Sequence, residues 1–268
     1  MSETAAAPPE EPVGAVSALF GDRAELARAF HHHLATTAVE RGLVGPREVP
    51  RLWERHILNC AAAAELVPAG STVVDVGSGA GLPGVVLALV RSDLEVTLLE
   101  PLQRRVVWLS EVVSDLGLEH VTVLRGRAEE VRGDLAFDVA TARAVAALPV
   151  LAGWCLPLVR PGGRLLALKG RAASEELAAS EAGLTALGAT GWRIVTVGDG
   201  LLDEPATVVE ILAGEPPTGR GRARSRRGRR GDGPSGAAGA VGDEPVSDGR
   251  RAGSPAAHRG HRGNRRRP

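Results

Sequence analysis

The sequence predicts an α/β protein built on a doubly wound, mostly parallel sheet with helices on both faces. Two observations predict it. Between residues 71 and 212, short apolar runs alternate with longer stretches of helical spacing, the pattern that strand–helix–strand units produce. A glycine-rich turn, Gly77-Ser78-Gly79-Ala80-Gly81, follows the first apolar run, where sheets of this kind take their ligands.

Residues 1–17 are expected to be disordered, and 18–68 to form an N-terminal helical cap, with helices over 19–39 and 50–66. The next unit, 69–213, holds the sheet. Its first strand covers 71–76, bounded by glycines. Pro83 suits the first turn of a helix running through 85–90. A second strand follows at 95–100, then a helix over 103–116 that Gly117 stops. Strands at 120–124 and 137–141 come next. Helical spacing resumes over 148–158 and breaks at Pro161-Gly162-Gly163. A strand at 164–168, a helix at 174–187 and two closing strands at 192–197 and 206–212 complete the unit. No internal repeat is found.

The chain has 268 residues, 44% hydrophobic and 24% charged, ordinary values for a globular protein with a sizeable core. No uncharged apolar run reaches the roughly 18 residues of a membrane span. The first residues lack a basic segment followed by an apolar one, so no signal peptide is expected. Two cysteines, Cys60 and Cys155, are too few for a disulfide framework and read as small core residues. A cytoplasmic protein of enzyme size is expected.

The formal net charge of zero hides a split. Residues 215–268 hold 14 arginines against 5 acids, a net +9, and leave the body at −9. The tail, 214–268, contains no Leu, Ile, Phe, Met or Trp. It cannot bury enough apolar surface to offset the entropy of ordering, so it reads as disordered. Its Arg-Gly runs either attract RNA phosphate without sequence readout or reflect a coding bias that leaves Lys169 as the only lysine. An acidic body opposes a polyanion, so a basic face or the tail must compensate.

The glycine loop is ambiguous on its own. Gly79-Ala80-Gly81-Leu82-Pro83-Gly84 satisfies the dinucleotide pattern, and Glu100 lies 21 residues past Gly79, where a ribose-binding acid belongs. Three features favour S-adenosylmethionine. Asp75 at the strand end opposes a pyrophosphate but suits a ligand carrying a sulfonium and an ammonium. The register Gly77, Gly79, Gly81 with an acid two residues before it is the usual methyltransferase loop. The chain has no tyrosine, which removes one common proton donor of hydride enzymes. Glu100 serves either cofactor. After the third strand, Gly126-Arg127-Ala128-Glu129-Glu130 either reads an adenine edge or simply places acids at a helix start.

Six blocks in order then carry a resemblance: Arg55-His56-Ile57-Leu58-Asn59, residues 75–84, Leu98-Leu99-Glu100-Pro101-Leu102, Gly126-Arg127-Ala128-Glu129-Glu130, Ala142-Arg143-Ala144, and Ala167-Leu168-Lys169-Gly170. Over roughly 19–212 the chain resembles the small-subunit ribosomal RNA methyltransferase G family (also called GidB), in particular its actinobacterial members. The resemblance implies a Rossmann-like class I methyltransferase fold, with 69–213 the methyltransferase domain. It also implies methyl transfer from S-adenosylmethionine to N7 of one guanine in 16S ribosomal RNA, free or in the small ribosomal subunit. By the same resemblance Gly77, Leu82, Ala128, Glu129 and Arg143 contact the cofactor, to which charge and position add Asp75 and Glu100, and the loop register Gly79 and Gly81. Two places depart from many members of that family: Leu43-Val44-Gly45-Pro46-Arg47 stands where they have an Asn-Leu-Thr stretch, and Ala142 where they have a serine before the arginine.

Guanine N7 has a lone pair and no proton to lose, so no catalytic general base is expected. Arg143 either holds the cofactor or guanine O6, or pairs with Asp75, Asp138 or Glu129. Lys169 meets an RNA phosphate or the target base, or is a plain surface lysine. Arg55 and His56, with Arg51 one turn earlier, offer RNA contacts or a solvated helix face. His31, His32 and His33 point in different directions and make a poor metal site. Trp53, Trp108 and Trp154 read as core. A monomer without metal or membrane contact is expected. The competing readings are a class I methyltransferase acting on a protein or small molecule, a dinucleotide-binding protein, and an RNA-binding module dominated by the tail.

Overall fold

The computed structural model of the chain describes residues 11–133 and 135–215. Seven strands form one sheet: β1 Thr72–Val76, β2 Glu95–Glu100, β3 Val121–Arg125, β4 Phe137–Arg143, β5 Val159–Lys169, β6 Ala189–Val197 and β7 Ala206–Ala213. Their order is β3-β2-β1-β4-β5-β7-β6. The first five run parallel, and β7 is antiparallel to both β5 and β6. The order reverses between β1 and β4, which opens a crevice at the strand carboxyl ends.

The helices are α1 Val13–Phe20, α2 Ala24–Ala35, α3 Thr37–Glu40, α4 Asn59–Ala62, α5 Gly84–Val90, α6 Gln103–Asp115, α7 Ala128–Val131, α8 Leu148–Cys155 and α9 Ala173–Ala186. Spacing explains which faces they bury. In α9, Ala173, Leu177, Ser180 and Leu184 are buried, one stripe at three- and four-residue intervals. In α2 the stripe is Ala24, Ala27, Phe30 and Leu34. Gly117, at φ +62°, turns the chain after α6 while Leu118 N–H donates to Val113 O, as a left-handed residue after a helix allows.

Alternation along the strands divides the core between the two sheet faces. Val73, Val139, Leu166 and Val208 pack with α1, α2, α5, α6 and the segment 52–67. Val74, Val76, Ala140, Leu165 and Val209 pack with α8 and α9. Both faces are covered, so β5 carries the unbroken buried apolar run Leu165-Leu166-Ala167-Leu168.

The structure corrects the reading of the N-terminal region. Helix α1 starts at Val13, inside the stretch expected to be disordered and short of the boundary expected at residue 18. Its Val16 and Phe20 are buried, which is what orders it. Residues 1–10 lie outside the described residues. The helix expected over 19–39 is broken by a 3-10 turn at Gly21–Arg23 and by Thr36, which leaves the helical region at φ −115° and ψ −88°. The helix expected over 50–66 is four pieces: a 3-10 turn Pro46–Arg51, a π-helix Leu52–Leu58, α4, and a 3-10 turn Ala63–Leu66. The expected disordered tail lies outside the described residues beyond Glu215.

Candidate cofactor and substrate cleft

At the end of β1 the backbone turns through Gly77 (φ +74°), Gly79 (+57°) and Gly81 (+79°). Side chains other than glycine adopt such angles only at a cost. The turn is closed by its own bonds: Gly81 and Leu82 donate to Ser78 O at 2.7 and 3.2 Å, and Ser78 Oγ donates to Asp75 O at 2.9 Å. Gly77 N–H reaches across to Leu99 O on β2 at 2.8 Å.

Both acids nominated beside the loop are buried beneath it. Asp75 is fully buried; its Oδ2 accepts the Gly84 N–H at 3.0 Å and its Oδ1 has no partner. Burial pushes its carboxyl up to about 7, against the hydrogen bond from Gly84. Asp75 therefore does not present its charge to the cleft as expected, because α5 and the loop close over it. Glu100 is 1% exposed; its Oε2 accepts the Gly79 N–H and its Oε1 the Leu102 N–H, each at 2.9 Å. Arg105 stands 3.6 Å from Oε2. Each Glu100 oxygen keeps a second lone pair for a hydroxyl.

The loop fits a nucleoside. A Cβ built on Gly79 would meet nothing nearer than Gly77 O at 3.7 Å, so one side of the turn is open to a ligand. On the other side a Cβ on Gly81 would strike Val85 at 2.6 Å and approach Phe30 of α2 at 3.3 Å. Leu82 is half-buried against the same core. At the end of β3, Ala128 is buried, Glu129 is exposed, and Glu130 accepts the Arg127 N–H at 3.0 Å. Glu130 thus serves the helix start, and Glu129 is solvent-facing.

Arg143 ends β4 and pairs with none of the acids expected for it. Its guanidinium grips the π-helix of the cap: Nη2 donates to Arg55 O at 3.0 Å and to His56 Nδ1, and Nη1 to His56 O at 3.3 Å and Cys60 Sγ at 3.4 Å. The helix carbonyls near its C-terminal end are partial negative charges that a cation satisfies. Arg55 is exposed, whereas His56 is mostly buried, its Nε2 2.9 Å from Glu48 Oε2. Burial and then Arg143 lower the His56 pKa. Arg51 stands 3.7 Å from Glu48 and remains exposed.

Lys169 is also corrected. Its Nζ donates to Ala146 O at 2.9 Å and to Glu176 Oε2 at 2.8 Å, with the side chain 10% exposed. Glu176 in turn accepts the Leu148 N–H at 2.9 Å. The ammonium ties down the turn between β4 and α8 and is not free for a phosphate. That turn contains Ala144 at φ +54° and places Val145 over the loop, 3.1 Å from where a Gly77 Cβ would lie. Non-glycine residues at such angles persist where surrounding structure holds them.

Other expectations fall as follows. Trp53 and Trp108 are buried and Trp154 packs against the second core cluster. His31 stacks on Trp53 with ring centroids 4.7 Å apart. Among the described residues no group of His, Cys, Asp or Glu is arranged to hold a metal ion. No helix among them is long and apolar enough to cross a membrane. The residues that sequence reasoning missed are Glu48, Val145 and Glu176. None belongs to a motif, and each is brought in by a contact between distant segments.

The family described as rRNA small subunit methyltransferase G matches residues 23–203. A Streptomyces coelicolor protein named ribosomal RNA small subunit methyltransferase G is 56% identical over 241 residues, covering 85% of this chain and all of the relative. Proteins of the same name from Pseudarthrobacter chlorophenolicus and Salinispora tropica are 55% and 52% identical over 202 and 236 residues. They cover 75% and 83% of this chain, and 94% and 98% of those relatives. The chain belongs to the rRNA small subunit methyltransferase G family.

Proposed function

We propose that the chain transfers a methyl group from S-adenosylmethionine to N7 of a guanine in 16S ribosomal RNA. The observation that carries this reading is the glycine turn, open above Gly79 and braced from beneath by Glu100, in a chain of this family. Gly77, Gly79, Gly81 and Leu82 line the turn, Glu100 accepts from ribose hydroxyls, Ala128 and Glu129 flank the adenine, and Arg143 closes the cleft from β4. Asp75 acts from below by fixing Gly84 and the start of α5. The donor supplies an electrophilic methyl on a sulfonium.

The chain's own task is alignment. Guanine N7 offers a lone pair without losing a proton, so no side chain needs to act as a base. Good positioning alone is worth on the order of 7 to 11 kcal/mol. Exposed arginines at the carboxyl ends of the strands and on the cap, Arg55, Arg104, Arg125 and Arg127, supply a local positive rim on an acidic body. The reaction takes place in the cytoplasm, on the small ribosomal subunit or its RNA, and the chain acts as a monomer.

The test uses radiolabelled S-adenosylmethionine and small subunits from a strain lacking this protein, followed by borohydride–aniline cleavage of the recovered RNA. Label with one new cleavage site is expected. Cofactor binding without RNA labelling would overturn the substrate and leave a methyltransferase of a different specificity.

A further inference from the structure

Guanidinium nitrogens donate hydrogen bonds and never accept them. The contact between Arg143 Nη2 and His56 Nδ1 therefore makes Nδ1 the acceptor and puts the ring proton on Nε2. Nε2 faces Glu48 Oε2 at 2.9 Å, and an ionised carboxylate can only accept. The two contacts agree on one state: a neutral imidazole that donates to Glu48 and accepts from Arg143. A second proton would set N–H against N–H and bring a positive ring up to a positive guanidinium.

The surroundings favour the neutral state. The His56 side chain is 19% exposed. The charged groups facing it are Glu48 from the 3-10 turn, Arg143 from β4 and Arg55 from its own helix, and only Glu48 favours protonation. The other Arg143 contacts, to the carbonyls of Arg55 and His56 and to Cys60, are indifferent to the ring's charge. The imidazole is thus the one partner of Arg143 whose acceptance can be switched off.

We propose that His56, oriented by Glu48, is a positioning residue for Arg143: it holds the guanidinium against the cap and so fixes the wall of the cleft that ends β4, and its protonation loosens that hold. The proposal rests on the reading above that Arg143 closes the cofactor cleft from β4.

The measurement is calorimetric affinity for S-adenosylmethionine from about pH 8 to about pH 5, across the His56 transition. His56→Phe is expected to bind about tenfold more weakly near pH 8, the scale of one charge-assisted hydrogen bond. His56→Asn places an amide oxygen near the Nδ1 position and does not titrate, so it recovers most of that loss. Asp75 titrates in the same window, so the informative quantity is the difference between wild type and His56→Asn. That difference opens as pH falls below the ordinary histidine value of 6.5. Glu48→Gln removes the charge that favours protonation and moves the midpoint of the difference to lower pH.

Wild-type affinity and pH profile in His56→Phe would overturn the proposal. If His56→Phe does not fold, a wild-type pH profile in His56→Asn overturns it instead. Arg143→Ala separates the two levels. Undiminished binding there would refute Arg143 as a wall of the cofactor cleft, whereas weak binding there with normal binding in the His56 variants would refute positioning alone.

Discussion

The turn after β1 and the turn after β4 touch at Gly77 and Val145, yet they are held in opposite ways. The first is held by residues near it in sequence and by two carboxylates directly beneath it, Asp75 and Glu100. The second is held from outside. Arg143 reaches back 87 and 88 residues to the cap, and Lys169, 23 residues on, pins Ala146. One wall of the cleft is thus a local structure, and the other exists only when the cap and α9 are in place.

Three substitutions would break or sharpen that contrast. Gly84→Ala attacks the local wall most severely: its Cβ would lie 2.4 Å from Leu98 Cδ2 and 2.7 Å from Asp75 Oδ2, all of them buried. Overpacking of this kind costs about 3 kcal/mol, read as a fall in melting temperature of about 6 to 12 °C for a domain of this size. An unchanged melt would mean that α5 can slide, and that this wall is less rigid than its bonds suggest.

Lys169→Met strikes the remote wall and is expected to cost less, about 1 to 2 kcal/mol, since Glu176 is partly solvated and keeps the Leu148 N–H. Its pH dependence has a definite sign. The Lys169 ammonium holds the Glu176 carboxyl below its ordinary range. The stabilisation is fully present above the unfolded carboxylate value and is lost as pH falls through the lower folded one. Melting wild type and variant in parallel should therefore show two curves converging in acid. The smallest effect belongs to Arg171→Ala: this pair with Glu204 spans 3.8 Å with both side chains almost fully exposed, and no measurable shift in melting temperature is expected.

The same contrast explains what the sequence made legible. The β1 turn could be read because its requirements are local: a buried strand, glycines at positive φ, an acid at each neighbouring strand end. The strands and most helices of 69–213 follow from periodicity in the same way. The charge of Asp75 is visible in the sequence, while the closing of α5 over it is not. Arg143 and Lys169 are legible as residues at strand ends, but the contacts they make within the protein, to His56 and Glu176, lie in other segments. The cap resisted reading for a related reason. Apolar spacing over 50–66 fits a single helix, and nothing local announces that residues 52–58 wind as a π-turn that turns two carbonyls towards Arg143.

The cap and the last hairpin share one core: Val16 and Phe20 of α1 lie in the same apolar cluster as Val197, Ala206 and Val208. On the ribosome these ends are made far apart in time. At ordinary synthesis rates the cap leaves the tunnel about ten to forty seconds before its partners in β6 and β7. Through that interval Val16, Phe20 and Phe30 have no finished surface to cover them. The nascent cap is therefore open to chaperones and proteases through that interval, and the cleft it helps to wall is completed only once β7 has emerged.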